Sequence, residues 1–226
     1  MKRNLDIKSE DNFMKRFKYY KSNKPEPSLD KVVRLQYDIP IEVYCEKNRN
    51  VFPLELAELC DVVSQYLGFI NFKAQAAIVN YYHMGSTLSA HTDHSEVNLE
   101  APLLSFSFGQ SAIFLIGGQE KSHEPSAILL NSGDILVMSK EARLCYHAVP
   151  KILQASDQPW NNHEELIQIT DNEVKTKYIH EQTLIKEINR YADNKEWTQF
   201  SSYVEESRIN VNVRQVLMEN QERLDN

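Results

Sequence analysis

Leu103-Leu104-Ser105-Phe106-Ser107-Phe108-Gly109-Gln110-Ser111-Ala112-Ile113-Phe114-Leu115-Ile116 is the stretch on which the fold turns. Two short apolar runs, 103–108 and 111–116, are rich in Leu, Ile and Phe and are parted by turn residues, which is how strands read. The same signature extends outward to 74–82, 126–130 and 135–138. Asn131-Ser132-Gly133-Asp134 separates the last two and predicts a tight hairpin, because Gly, Asn and Asp tolerate the backbone angles of such turns. Many short strands at this spacing predict a β-sandwich, barrel or jelly roll.

Helical spacing appears only at the periphery. From Pro53, the residues Leu56, Leu59, Val63 and Leu67 share one face and Gly68 ends the segment, which predicts a helix. Further upstream, Phe13, Phe17 and Tyr20 fall at helical spacing among basic residues, as in an amphipathic helix docking on the body. Core packing is the first reading of those aromatics and stacking on bases the sharper one. Pro25 and Pro27 mark a linker over 23–28. Residues 154–206 are polar and read as an insertion between strands, with a surface helix around Leu184, Ile188 and Tyr191; a last strand is predicted at 208–217. The chain divides into an arm and linker, 1–28, and a body, 29–226, carrying that insertion.

The 226 residues are 42% hydrophobic and 25% charged, a balance that supports a sizeable core without disulfides or structural metal. Cys45, Cys60 and Cys145 form no CxxC pair, which argues against a disulfide framework or zinc ribbon and for a reducing, intracellular setting. Nucleus, cytoplasm and mitochondrion are not distinguished. No apolar run approaches the roughly 18 residues of a membrane span, and no signal-peptide pattern opens the chain. The net charge of −7 argues against a nucleic-acid partner until its distribution is examined. Residues 1–24 hold eight Lys/Arg against three Asp/Glu, a net of +5 that leaves −12 on the rest. A basic arm supplies phosphate contacts locally, although a solvated terminus explains such charges equally well.

Two patterns carry chemistry. Ala90-His91-Thr92-Asp93 is followed much later by Tyr146-His147-Ala148. A mononuclear non-haem iron(II) site needs two neutral imidazoles and a carboxylate on one face of the metal, with the opposite face open. Residues two apart on a strand point the same way, so His91 and Asp93 suit one ion, and a strand remote in sequence brings His147. Taken alone, the pair also reads as a turn histidine beside a surface carboxylate. The second pattern is Arg208-Ile209-Asn210-Val211-Asn212-Val213-Arg214. It places two arginines and two asparagines on one strand face and an apolar row on the other. An inward row of this kind suits a dicarboxylate, because guanidinium gives planar, bidentate donors with a permanent charge. The alternative keeps the apolar face in the core and the arginines in water.

In order and spacing, Asn80-Tyr81-Tyr82, His91-Thr92-Asp93, His147 and Arg208-x5-Arg214 resemble the AlkB dioxygenase family. In detail the chain is similar to the first AlkB homologue subgroup of animals. The likeness runs through Ser86-Thr87-Leu88, Pro102 to Leu115, Ser132-Gly133-Asp134-Ile135, His147-Ala148-Val149-Pro150 and Arg214-Gln215-Val216-Leu217. It implies a mainly β fold with peripheral α, the double-stranded β-helix or jelly roll. It also implies iron(II) held by His91, Asp93 and His147. The co-substrate 2-oxoglutarate would be contacted by Asn80 and Tyr82, clamped at its far carboxylate by Arg208, supported by Asn210 and approached at its metal-bound end by Arg214. The implied reaction consumes O2 and 2-oxoglutarate, yields succinate and carbon dioxide, and oxidises N-methyl groups on tRNA or DNA with release of formaldehyde. The chain departs from the subgroup before the Asn-x-Tyr strand: only residues 34–50 stand where the subgroup has a longer segment contributing the nucleotide lid. That shortening puts base gripping in question and leads to an expected preference for unpaired regions. Two further readings stay open: a dioxygenase acting on a methylated protein side chain, histone-like, and a binding module with little turnover. Oligomeric state is not set by the sequence.

Overall fold

The computed structural model describes residues 11–21, 31–35, 44, 50–161 and 194–224. Among these residues, nine strands form two antiparallel sheets. The first five-residue strand, β1 (Lys31–Leu35), edges a five-stranded sheet in the order β1-β2-β9-β4-β7, where β2 is Ala76–His83, β4 Leu103–Gly109, β7 Ile135–Met138 and β9 Ser207–Arg214. The second sheet runs β3-β8-β5-β6, with β3 Leu88–His91, β5 Ser111–Ile116, β6 Ser126–Leu130 and β8 His147–Leu153. This is the jelly-roll double-stranded β-helix expected of the chain.

Alternation along each strand builds the layers. Tyr82, Leu103, Ala112, Phe114, Leu130, Met138, Val149 and Ile152 meet between the sheets. The outer face of the five-stranded sheet contributes Ala77, Leu104, Phe106 and Val213, covered by Phe52, Ala57, Cys60 and Phe72 from helix α2 (Leu54–Tyr66) and its flanks. On the far side, helix α1 (Asn12–Tyr20) buries Phe13 and Phe17 against Leu115 and Ala148. Its Asp11 cap accepts from the Met14 N–H at 2.9 Å, satisfying one of the donors a helix start leaves open. The core reading of those aromatics therefore holds. Helix α3 (Asn194–Val204) leads into β9 and packs Trp197, Phe200 and Val204 around Trp160 and Ile209. Among the described residues, no helix is long and apolar enough to cross a membrane.

Between β4 and β5 the chain passes from one sheet to the other through Gly109 and Gln110. Gly109 has φ +76°, and a Cβ there would lie 2.5 Å from the Ser207 carbonyl oxygen, so the crossing needs glycine. Gln110 is fully buried; its amide donates to the Val204 and Glu205 carbonyls, and its carbonyl accepts from the Ala155 N–H.

Several sequence expectations are corrected. Residues 131–134 do turn, with Gly133 at φ +90° and the Asp134 carboxylate accepting from the Asn131 N–H at 2.7 Å. The strands they join are not a hairpin, however, because β6 pairs with β5 and β7 with β4. Backbone bonds between Ser107 and residues 133 and 134 draw the turn toward β4 and into the other sheet. The helix at 54–66 buries a face shifted in phase from the expected one: Ala57, Cys60 and Ser64 point inward with Leu56 and Val63 beside them, while Leu59 and Leu67 are exposed. The last strand ends at Arg214 rather than 217, since the Gln75 side chain takes the Val216 and Leu217 N–H groups and both residues turn into a separate apolar cluster. Strand β1 is an addition to the sequence reading, while β3 and β8 give bounds to the strands the sequence assumed for His91 and His147. The expected helix at 184–191 and most of the shortened segment 34–50 lie outside the described residues, as does Cys45.

Candidate active site

A cavity of ≈510 Å³ opens between the sheets, and the side chains singled out from the sequence line it. Register explains how they meet. In β2 and β9, Asn80 stands opposite Asn210 and Tyr82 opposite Arg208, so both patterns present the same face inward. On the other wall, His91 is the Cα partner of His147 across the β3–β8 pair, with ring centroids 4.3 Å apart. The i, i+2 strand argument holds only in part here: β3 ends at His91, and Asp93 lies in the loop beyond it. That loop is held from the side, because Arg143 donates to the Asp93 backbone carbonyl at 2.6 Å.

One nitrogen of each histidine is already committed. His91 Nδ1 lies 2.9 Å from the Ser89 carbonyl and His147 Nδ1 3.1 Å from that of Cys145. A carbonyl only accepts, so each Nδ1 carries the proton and each Nε2 keeps its lone pair. Both Nε2 atoms face Asp93, at 3.9 Å from Oδ1 for His91 and 3.6 Å from Oδ2 for His147. The three ligating atoms all lie within 4.8 Å of one another. Burial, reinforced by the neighbouring His147, lowers the His91 pKa and favours the neutral ring a metal requires. Burial alone would raise the Asp93 carboxyl, but the Arg214 guanidinium 2.8 Å away opposes it, and the group is held ionised well below the usual carboxylate range. Two neutral imidazoles and a fixed carboxylate at the edge of an open cavity fit a divalent cation with free coordination positions.

Arg208 lies on the opposite wall, 2% exposed. Its guanidinium donates to Ser107 Oγ at 2.8 Å and to the Gln110 carbonyl at 3.2 Å, and its Nε is buried without a partner. Burial pulls its pKa down to about 10, offset only in part by Tyr82 and Asp134. A buried cation short of a counter-charge beside a cavity is the fit expected for an anionic ligand group. Asn210 donates to Ser105 Oγ at 2.7 Å and accepts from Asn80 at 3.2 Å, so both amides are oriented before any ligand arrives.

Sequence reasoning missed a second layer. Arg214 donates to Asp93 Oδ1 at 2.8 Å and to Glu96 Oε1 at 2.7 Å. Glu96 in turn accepts from Arg143 at 2.8 Å and from the Tyr44 hydroxyl at 2.9 Å. Asn212, read only as one of an inward row, approaches Asp93 Oδ2 at 3.4 Å, and its Oδ1 is buried without a partner. The one available hint was Glu96 itself, an acid three residues beyond the HxD pair; nothing in the sequence couples it to Arg143 or Tyr44.

The 2OG-Fe(II) oxygenase superfamily model matches residues 8–214. The human nucleic acid dioxygenase ALKBH1 is 35% identical over 210 residues, 91% of this chain and 51% of that protein. The tRNA demethylase abh1 of Schizosaccharomyces pombe is 37% identical over 183 residues, 80% of this chain and 50% of that one. The chain thus spans about half the length of the curated relatives it matches. The solved structure of OsALKBH1 shares the fold, with a TM-score of 0.52 at 17% identity and 91% of each chain covered.

Proposed function

Because the chain belongs to the 2OG-Fe(II) oxygenase superfamily, we propose that it is an AlkB-type dioxygenase that oxidises methyl groups on nucleic acid, tRNA or DNA. One observation carries the reading. A cavity has a two-histidine, one-carboxylate cluster on one wall and an unpaired buried guanidinium on the other. In this reading His91, Asp93 and His147 hold iron(II). Arg208 takes the far carboxylate of 2-oxoglutarate with Asn80, Tyr82 and Asn210 alongside, and Arg214 faces the metal-bound end. When bound, iron and 2-oxoglutarate supply the oxidising chemistry: O2 is consumed, 2-oxoglutarate becomes succinate and carbon dioxide, and a substrate C–H is hydroxylated.

The chain's own residues bind, orient and exclude water. Fixed Nδ1 protons aim both imidazoles, the Arg208 charge meets a carboxylate without reorganisation, and Leu88, Leu103, Phe114 and Val149 line the cavity with apolar surface. A hydroxylated N-methyl then collapses to formaldehyde and the unmethylated amine.

Relatives named as a nucleic acid dioxygenase, a tRNA demethylase and, in Arabidopsis thaliana, a DNA N(6)-methyladenine demethylase support the substrate class. The basic segment 1–24 supports phosphate attraction. Residues 1–28 serve as arm and linker and 29–226 as the dioxygenase body with its 154–206 insertion, working inside the cell. The test is 2-oxoglutarate-dependent formaldehyde and succinate release on methylated tRNA, single-stranded DNA, duplex DNA and a methylated histone-like peptide. Turnover should favour unpaired nucleic acid and weaken with salt. Peptide-only turnover would move the substrate to protein, and succinate formation from none of the four would leave a binding module.

A further inference from the structure

Glu96 is four-fold hydrogen-bonded and 4% exposed, yet it touches neither the cavity's ligating atoms nor its open space. It accepts from Arg214, Arg143, Tyr44 and Ser95. We infer that Glu96 is a positioning residue for the metal-binding carboxylate, acting through Arg214; this rests on the metal reading above.

The geometry is a relay of buried charges. Asp93 and Glu96 sit three residues apart on one loop and grip the two ends of the Arg214 fork, at 2.8 Å and 2.7 Å. Arg143, from the 3₁₀ turn Lys140–Leu144, closes the loop by binding the Glu96 carboxylate and the Asp93 backbone carbonyl together. Two guanidiniums therefore face two carboxylates, and the cluster is balanced. Arg214 is thereby committed, in contrast to Arg208, which among the described residues makes no ion pair and keeps its charge for a ligand. If the Glu96 charge is removed, two buried cations share Asp93 alone. Both effects oppose metal binding: Arg214 draws the carboxylate toward itself, and the potential at the cluster becomes more positive where a divalent cation must enter.

Co(II) is a probe that reports affinity by titration and ligand environment by its visible absorption bands, independently of turnover. For Glu96→Gln, which keeps shape and loses charge, the expected result is Co(II) affinity weakened about 10- to 100-fold, the range for partners that orient metal ligands. The Co(II) bands should shift as well. Folded Glu96→Gln with affinity within twofold of wild type and unchanged bands would make Glu96 a fold-holding acid and overturn the inference. If that variant does not fold, Tyr44→Phe, which removes one donor from Glu96, should weaken Co(II) several-fold; wild-type affinity there overturns the inference equally. Asp93→Ala separates the two levels. If it binds Co(II) as wild type does, the metal assignment fails and takes this inference with it; if it loses Co(II) while Glu96→Gln does not, only the relay fails.

Discussion

Arg208→Met exposes the conflict between stability and ligand binding at this site. The arginine is a buried cation whose burial lowers its pKa from the ordinary guanidinium value to about 10. That shift means the folded state disfavours the charged form, so at neutral pH the charge costs about 3 kcal/mol relative to the unfolded chain. Against it stand two hydrogen bonds, to Ser107 Oγ and the Gln110 carbonyl, each worth about 1 kcal/mol. Methionine fills most of the volume without the charge, and the net expectation is a gain of about 1 kcal/mol, or about 2–4 °C in Tm for a domain of this size. Ligand reverses the order. With Mn(II) replacing iron to prevent turnover, 2-oxoglutarate at 100 times its Kd should stabilise wild type by about 2.7 kcal/mol. Losing a charge-assisted contact weakens binding about 10- to 100-fold, leaving the variant roughly 0.4–1.4 kcal/mol of that stabilisation. Thermal melts of both proteins with and without 2-oxoglutarate should therefore cross: the variant more stable without ligand, wild type more stable with it. A variant that melts several degrees lower without ligand and keeps the full ligand-induced shift would refute the reasoning, because Arg208 would then be a satisfied structural cation.

Asp93→Ala should abolish iron-dependent succinate formation while circular dichroism stays native, since the inter-sheet core does not include that side chain; near-wild-type succinate would overturn the metal assignment. Gly109→Ala forces a Cβ to 2.5 Å from the Ser207 carbonyl at φ +76°, and urea unfolding should show a loss of about 2–5 kcal/mol from strain and overpacking together. Burial pushes the Cys60 thiol up to about 12, above its unfolded value near 8.5, so its contribution is intact below about pH 8.5 and is lost as pH rises toward 12. Relative to Cys60→Ala, wild type should lose about 2 kcal/mol between pH 8 and pH 10; a pH-independent difference would show the thiol ionising freely.

The alternation along 208–214 was readable from sequence because Val211 and Val213 pack in the core beside α2 while Arg208, Asn210, Asn212 and Arg214 line the cavity, and strand periodicity records that division residue by residue. The His91, Asp93, His147 and Arg208 pattern was readable for a related reason: chemistry restricts which side chains serve at such a site. Tertiary structure alone decided what is not periodic. The turn at 131–134 has hairpin chemistry, but backbone bonds to Ser107, distant in sequence, send its two strands into different sheets. The buried face of α2 depends on where Phe72 and Leu104 stand, so an amphipathic pattern with apolar residues on both sides did not fix its phase. The Arg143–Glu96–Arg214–Asp93 relay joins residues up to 121 positions apart. No spacing encodes it, because a buried charge is stabilised by whichever opposite charge the fold brings within about 3 Å, and only the packed topology brings these four together.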